Sequence, residues 1–282
     1  MKILFTICSN NYFAQARVLF QTFLFFNPDY HCYLFIVDKK RDELDYEIGP
    51  SCDVVFIEEL LGTKLLDELC QRFNLIELNT AIKPSCFKYL KSIHPHLKYI
   101  FFLDPDVMIF NSFLEIEKEF LGNDILLTPH ILTPIKLDGK IPGENLFLNY
   151  GLYNLGFLGL SFVKSDLTGF LEWWEERCLS LSFVHLSLGY FVDQIWFNLV
   201  PIYYQNVKIL THSGCNMGPW NLHERSLKKG EDKFFYMNNG SRLIFYHFSA
   251  YNFRLPENIT SNNYYNRYTF KNRPDLKPLY DQ

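Results

Sequence analysis

Across residues 3 to 103, short apolar runs rich in β-branched and aromatic side chains alternate with stretches whose apolar positions recur every three or four residues. Residues 3–8 read as a strand, and Tyr12, Ala16, Leu19, Phe20 and Phe23 then fall on one helical face. Strands at 32–37, 53–57 and 99–103, with helices near 64–73 and 80–93, continue the pattern. Strands interleaved with helices predict an α/β fold with parallel strand pairs in a central sheet. The second half is less regular: strands at 156–162, 207–210 and 243–246, and helices near 167–178 and 191–199. After Pro256 the chain is rich in Asn, Tyr, Arg and Pro without periodicity. One domain over 1–255 with an irregular C-terminal extension over 256–282 is expected.

Ligands of such sheets bind beyond the carboxyl ends of the strands. The residues there are Cys8, Ser9 and Asn10 after the first strand, Asp38 after the second, and Asp104-Pro105-Asp106 after the run Tyr99-Ile100-Phe101-Phe102-Leu103. That run reads as a buried central strand, and it ends abruptly in two carboxylates. Carboxylates at i and i+2 of an extended segment share a face, and Pro105 stiffens the link between them. The pair can hold one hard divalent cation, manganese or magnesium, which keeps coordination positions for substrate phosphates. Asp and Pro also suit a plain strand-ending turn, so the motif needs company before it means chemistry.

Composition removes several classes. Of 282 residues 48% are apolar and 21% charged, and the net charge of −4 comes with dispersed basic residues, so there is no footprint for nucleic acid. The seven cysteines are odd in number, scattered and never in a C-x-x-C pair, which points to reduced thiols and a cytoplasmic setting. The N-terminal apolar stretch is too short for a secretory signal. The longest uncharged apolar stretch, residues 178–192, contains Ser, His and Gly and falls short of the roughly 18–20 residues of a membrane span. No transmembrane segment is expected. Most of the 18% aromatic residues should fill the core, with some free to meet flat ligand faces.

The order of further landmarks resembles the glycosyltransferases of family 8 and their GT-A relatives, which include glycogenin, galactinol synthase and lipopolysaccharide galactosyltransferases. The family's L-D-x-D resembles Leu103-Asp104-Pro105-Asp106, and its N-x-G resembles Asn154-Leu155-Gly156. Its D-Q-D-x-L-N resembles Asp193-Gln194-Ile195-Trp196-Phe197-Asn198, its W-N Trp220-Asn221, and its H-F-x-G His247-Phe248-Ser249-Ala250. Ile195 stands at the third acidic position, Ala250 at the glycine, and the closing K-P-W is absent, so the chain looks like a divergent branch.

The resemblance implies a Rossmann-like mixed sheet of GT-A type, with residues 1–110 binding nucleotide and 111–255 handling donor sugar and acceptor. It implies a sugar moved from a nucleotide-sugar, with a UDP-sugar expected, to a glycan or glycolipid with retention. Asp106, Asp104 and His247 would hold the cation, and Asp104 could instead bind the donor ribose. Asp193 and Gln194 would face the donor sugar and steady positive character at its anomeric carbon. Lys83 would touch diphosphate or sugar. Cys8, Ser9, Asn10 and Asp38 would seat the base, and Arg254 could take over the missing lysine's grip on phosphate.

Residues 215–225, dense in hydrogen-bonding groups around Trp220 and Asn221, form the candidate sugar or acceptor wall. The cluster Tyr264, Tyr265, Arg267, Tyr268, Lys271 and Arg273 could touch an anionic lipid acceptor or the inner face of a membrane. Three other readings stay open: an inverting enzyme with Asp193 as base, a catalytically silent sugar-nucleotide binder, and a sugar nucleotidyltransferase. The last is disfavoured because Ser9-Asn10-Asn11-Tyr12 lacks a Gly-rich basic loop.

Overall fold

The computed structural model describes residues 1–261 and 265–282. In chain order the strands are β1 (Lys2–Cys8), β2 (His31–Ile36), β3 (Cys52–Phe56), β4 (Tyr99–Leu103), β5 (Val107–Ile109), β6 (Ile125–Pro129) and β7 (Tyr153–Ser161). Then come β8 (Val184–His185), β9 (Tyr190–Phe191), β10 (Val207–Ile209), β11 (Leu227–Lys229), β12 (Phe235–Met237) and β13 (Phe245–His247). Seven of them form the central sheet in the order β10-β6-β7-β4-β1-β2-β3. Strand β1 pairs parallel with β2 and β4, whereas β7 runs antiparallel to both β4 and β6. The expected α/β class, with a mixed central sheet flanked by helices, is the fold the chain adopts.

The period of two along each strand divides the core between the faces of the sheet. Ile3, Phe5, Ile7, Phe35, Ile100 and Phe102 pack with Phe87 and Trp174 from the helices Lys83–Ile93 and Thr168–Leu181. Leu4, Cys8, Leu34, Phe101 and Leu103 pack with Ala16, Leu19, Phe20 and Phe23 of the helix Phe13–Phe26. Both faces are covered, which is why β1 and β4 read as continuous apolar runs. All seven cysteines are unpaired.

Two helix expectations need correction. Residues 80–93 do not form one helix: Leu75–Ala81 ends, and Lys83–Ile93 restarts with Pro84 in its first turn. Proline lacks the N–H that would carry the first helix through position 84, and it suits the first turn of a new one. The break swings Lys83 into the interior. Residues 191–199 are not a helix either. Val192 adopts a positive φ of 43°, so the chain leaves β9, turns, and makes only a short 3-10 turn at Ile195–Asn198 before Pro201.

The extension over 256–282 is largely irregular, as expected, but it is bound to the body. Ile259, Leu276 and Leu279 share a core with Met217 and Tyr246. Two of its arginines are buried. Arg273 donates to the carbonyls of Leu222 (2.6 Å) and Arg225 (2.8 Å), and Arg267 pairs with Asp138 at 2.8 Å. They knit the extension to the domain instead of facing an anionic surface, while Tyr264 lies outside the described residues. Among the described residues, no helix is long and apolar enough to cross a membrane.

Candidate active site

Strand pairing assembles the site. Asp104 leaves the end of β4 with its N–H on the Gly156 carbonyl (3.0 Å), and the chain turns at Pro105 so that β5 can start at Val107. Strand β13 pairs antiparallel with β5 in a register that sets His247 opposite Val107, and the N–H of Phe248 donates to the Asp106 carbonyl (2.8 Å). A histidine distant in sequence therefore arrives beside the two aspartates. One ligand atom from each of Asp104, Asp106 and His247 lies within 4.8 Å of the others. His247 Nε2 is 3.0 Å from Asp106 Oδ1 and 3.8 Å from Asp104 Oδ2.

The landmark Asn154-Leu155-Gly156 serves this histidine. A Cβ at position 156 would sit 2.7 Å from His247 Nδ1 and 2.8 Å from Asn154 Oδ1, so only glycine leaves room for the imidazole against β7. Asn154 Oδ1 accepts from the Gly156 N–H (3.1 Å) and from Asn216 Nδ2 (2.9 Å). Its Nδ2 therefore donates to His130 Nε2 (3.2 Å), which puts the proton of the neutral His130 on Nδ1. Burial pushes His130 down to about 4, in keeping with a neutral ring.

Crowding three ionisable groups shows in their proton affinities. Burial, then Asp106 and Asp193, push the Asp104 carboxyl up to about 6 against the pull of Lys83 and His247. Asp104 keeps 35% of its side-chain surface open, so this is the enclosure of a cavity and not complete loss of solvent. Despite its own burial, Asp106 is held below the usual carboxylate value by His247. His247 is itself raised: burial opposes its charge, but Asp106 and Asp104 outweigh it.

Facing these groups across a cavity of about 420 Å³ stand Lys83, Asp193 and Gln194. Lys83 Nζ and Asp193 Oδ2 form an ion pair at 2.5 Å, with side-chain exposures of only 3% and 2%. Lys83 also donates to the Leu155 carbonyl (3.0 Å) and lies 4.1 Å from the centre of the Phe102 ring. Lys83, expected to touch diphosphate or sugar, lines the cavity with its Nζ on Asp193 and the Leu155 carbonyl. Gln194 is held at both ends, accepting from the Leu155 N–H (3.1 Å) and donating to the Tyr150 carbonyl (2.8 Å). Asn198, in register with the resembled motif, accepts from the Leu152 N–H (2.8 Å) and so braces the loop after the helix Glu144–Tyr150.

The stretch 215–225 is more scaffold than wall. Trp220 borders the cavity, but it is buried with its ring edge-on to His247 at 5.1 Å and 88°. Asn221 Nδ2 donates to the carbonyls of His130 (3.2 Å) and Asn216 (3.0 Å). Arg225 donates to those of Ser213 (2.9 Å) and Cys215 (2.6 Å). These residues fix what stands behind the histidine.

Cys8, Ser9, Asn10 and Asp38 come together at the ends of β1 and β2, apart from this cavity. Asp38 Oδ2 accepts from the Asn10 N–H (2.6 Å), Tyr46 donates to Asn10 Oδ1 (2.6 Å), and Ser9 bonds Asn11. Burial and then Asp38 push the Cys8 thiol up to about 12. Arg254 is exposed beside Phe253, also outside the cavity lining. Sequence reasoning missed His130, Phe147, Tyr150 and Phe191, which line the cavity. Tyr150 and Phe191 stack at 4.4 Å and 16°. The only sequence trace of this wall is its lack of charge.

No family model matches the chain. It is 28% identical over 250 residues to YfnF, an uncharacterized protein of Bacillus subtilis (strain 168), covering 87% of this chain and 80% of YfnF. Among solved structures it is similar to the galactosyltransferase LgtC in complex with donor and acceptor sugar analogs. That match has 16% identity, covers 78% of this chain and 76% of LgtC, and has a TM-score of 0.45. It is also similar to a glycosyltransferase involved in glycosylation of the major capsid of PBCV-1. There the identity is 8%, the coverage 89% of this chain and 94% of that one, and the TM-score 0.49.

Proposed function

We propose that the chain is a metal-dependent glycosyltransferase of GT-A type that moves a sugar from a nucleotide-sugar, with a UDP-sugar the expected donor, to a glycan or glycolipid with retention. One observation carries this reading: Asp104, Asp106 and His247 converge within 4.8 Å at one side of a cavity whose other side presents the Lys83–Asp193 pair and Gln194. The donor set of two carboxylates and an imidazole, with no thiolate, fits manganese or magnesium and leaves coordination positions for phosphate oxygens. A cation held there supplies a Lewis acid for the charge that builds on the departing diphosphate.

The chain's own residues do the rest. Lys83 holds the Asp193 carboxylate in place inside a site that burial would otherwise drive toward the neutral acid. Asp193 then offers fixed negative charge to a developing oxocarbenium centre, where a preformed dipole counts for most. Gln194, locked at both amide atoms, sets one edge of the sugar site. Among the described residues lining the cavity, the carboxylates face either His247 or Lys83. None is left as the unpaired base that inversion requires, which favours retention.

The test is incubation with UDP- and GDP-sugars, with and without manganese, reading nucleoside diphosphate release. Manganese-dependent release with at least one donor is expected; no turnover and no cation-dependent binding with any donor would overturn the reading. A second expectation concerns the histidine seat. Gly156→Ala must displace the imidazole, and disturbing the orientation of a metal ligand costs about 10- to 100-fold in affinity. Calorimetric titration of manganese into the variant checks this, and wild-type affinity would show that the ring is not a ligand.

A further inference from the structure

The sequence scatters its seven cysteines, yet the sheet sets two of them side by side. Strands β2 and β3 pair parallel in a register that puts Cys32 opposite Cys52. The pairing is held at this point: the Cys32 N–H donates to the Ser51 carbonyl (2.8 Å), and His31 Nε2 lies 2.8 Å from Asp53 Oδ2. Opposed residues of parallel strands carry their side chains on one face. Here it is the face covered by the helix Phe13–Phe26: Cys32, Leu34 and Ile36 belong to that core, and Cys52, Val54 and Phe56 pack against it. Neighbouring strands lie about 4.8 Å apart, inside the roughly 4.4–6.8 Å between Cα atoms that a disulfide spans.

The two thiols differ in the way a redox pair requires. Cys32 is fully buried, whereas Cys52 opens β3, the edge strand, and is half-buried. Contact with Cys32 holds the Cys52 thiol below its ordinary value against burial and Asp53, while burial and then Cys52 keep Cys32 protonated. The other five thiols are all raised: Cys8, Cys86, Cys178 and Cys215 by burial, and the exposed Cys70 by burial, Asp67 and Asp38. The thiolate is the nucleophile, so Cys52 is the thiol open to an oxidant with a resolving partner beside it.

We propose that Cys32 and Cys52 are a peroxide-responsive dithiol whose disulfide clamps the edge strand β3 to β2. The Cys52 thiolate attacks one oxygen of hydrogen peroxide and the O–O bond breaks. Cys52 becomes the sulfenic acid, oxidised by the two electrons the peroxide gains, and the departing hydroxide takes the proton Cys52 gave up. The Cys32 thiol then attacks that sulfur: the S–S bond forms, the S–O bond breaks, and the Cys32 proton leaves with the hydroxide as water. Two thiols and one hydrogen peroxide give one disulfide and two waters, and a dithiol reductant reverses the change. The bond closes the connection 37–51, whose Asp38 and Tyr46 hold Asn10 at the end of β1. Neither thiol lines the catalytic cavity, so the oxidation stands apart from sugar transfer.

The experiment treats the reduced full chain with hydrogen peroxide, blocks the remaining thiols with N-ethylmaleimide, and maps the digest by mass spectrometry. A Cys32–Cys52 cross-link that dithiothreitol reverses is expected. It should form at least about tenfold faster in the folded chain than in urea, because the sheet holds the thiols together. Cys32→Ala should leave a Cys52 sulfenic acid that dimedone traps, and Cys52→Ala should leave Cys32 unoxidised. If Cys32→Ala does not fold, Cys52→Ala and the wild-type rate comparison decide. Amide exchange over 52–56 should be slower in the oxidised chain. No cross-link, a cross-link between two chains, one that forms no faster than in urea, or sulfenic acid on Cys70 in place of Cys52 would overturn the proposal. Exchange over 52–56 unchanged by the disulfide would overturn the clamp.

Discussion

Asp106→Ala will fold normally and lose about a thousandfold or more of its cation-dependent turnover, the scale on which a metal stabilises a departing diphosphate. Asp106 Oδ1 is the carboxylate atom nearest His247 Nε2, at 3.0 Å. Removing it leaves the imidazole with Asp104 alone, at 3.8 Å. The side chain holds no helix cap or core contact, so the thermal midpoint should move by only a few degrees. Nucleoside diphosphate release and a thermal melt check both parts, and undiminished turnover would contradict the assignment. The same triad sets a pH dependence. The raised Asp104 carboxyl binds its proton more tightly folded than unfolded, and His247 is also raised. Stability of the metal-free chain should therefore fall as pH rises from about 4 through 6 and beyond. Saturating manganese should reverse that slope above about pH 6, because only ionised Asp104 and neutral His247 bind the metal. Melts across pH with and without manganese read the crossing.

Lys83→Met should be the most destabilising single change in the site. It leaves Asp193, 2% exposed, as a buried carboxylate without its partner, and breaking such a pair costs about 3–5 kcal/mol. For a chain of 282 residues that is a fall of roughly 5–8 °C in the melting midpoint. Adding Asp193→Asn to the variant removes the orphaned charge and should recover much of the loss, although neither variant should transfer sugar. A drop below about 1 kcal/mol would mean the two groups do not depend on each other.

The sheet was legible because its strands are buried on both faces and their apolar runs stand out: β1, β2, β3 and β4 lie within a residue or so of where periodicity sets them. Strands β5, β6, β11 and β12 escaped notice because they are short or embedded in loops without alternation. The Asp104–Asp106–His247 cluster was legible only through ordered motifs. Nothing local says that β13 pairs with β5, yet that register carries His247 to Asp106. The burial of Lys83 was not legible for a related reason, since its partner Asp193 lies 110 positions away in sequence. Trp220 and Asn221 stood out in the sequence as hydrogen-bonding and aromatic groups, and Trp220 does border the cavity. Their burial behind His247 depends on packing that one sequence does not display.

Electron spin echo spectroscopy of manganese added to the chain with UDP tests the central claim most directly. A coupling to a histidine nitrogen is predicted, shifted by isotopic labelling of histidine and absent from His247→Gln. Manganese that binds with no histidine coupling, or with a coupling that survives in His247→Gln, would contradict a cation site built from Asp104, Asp106 and His247.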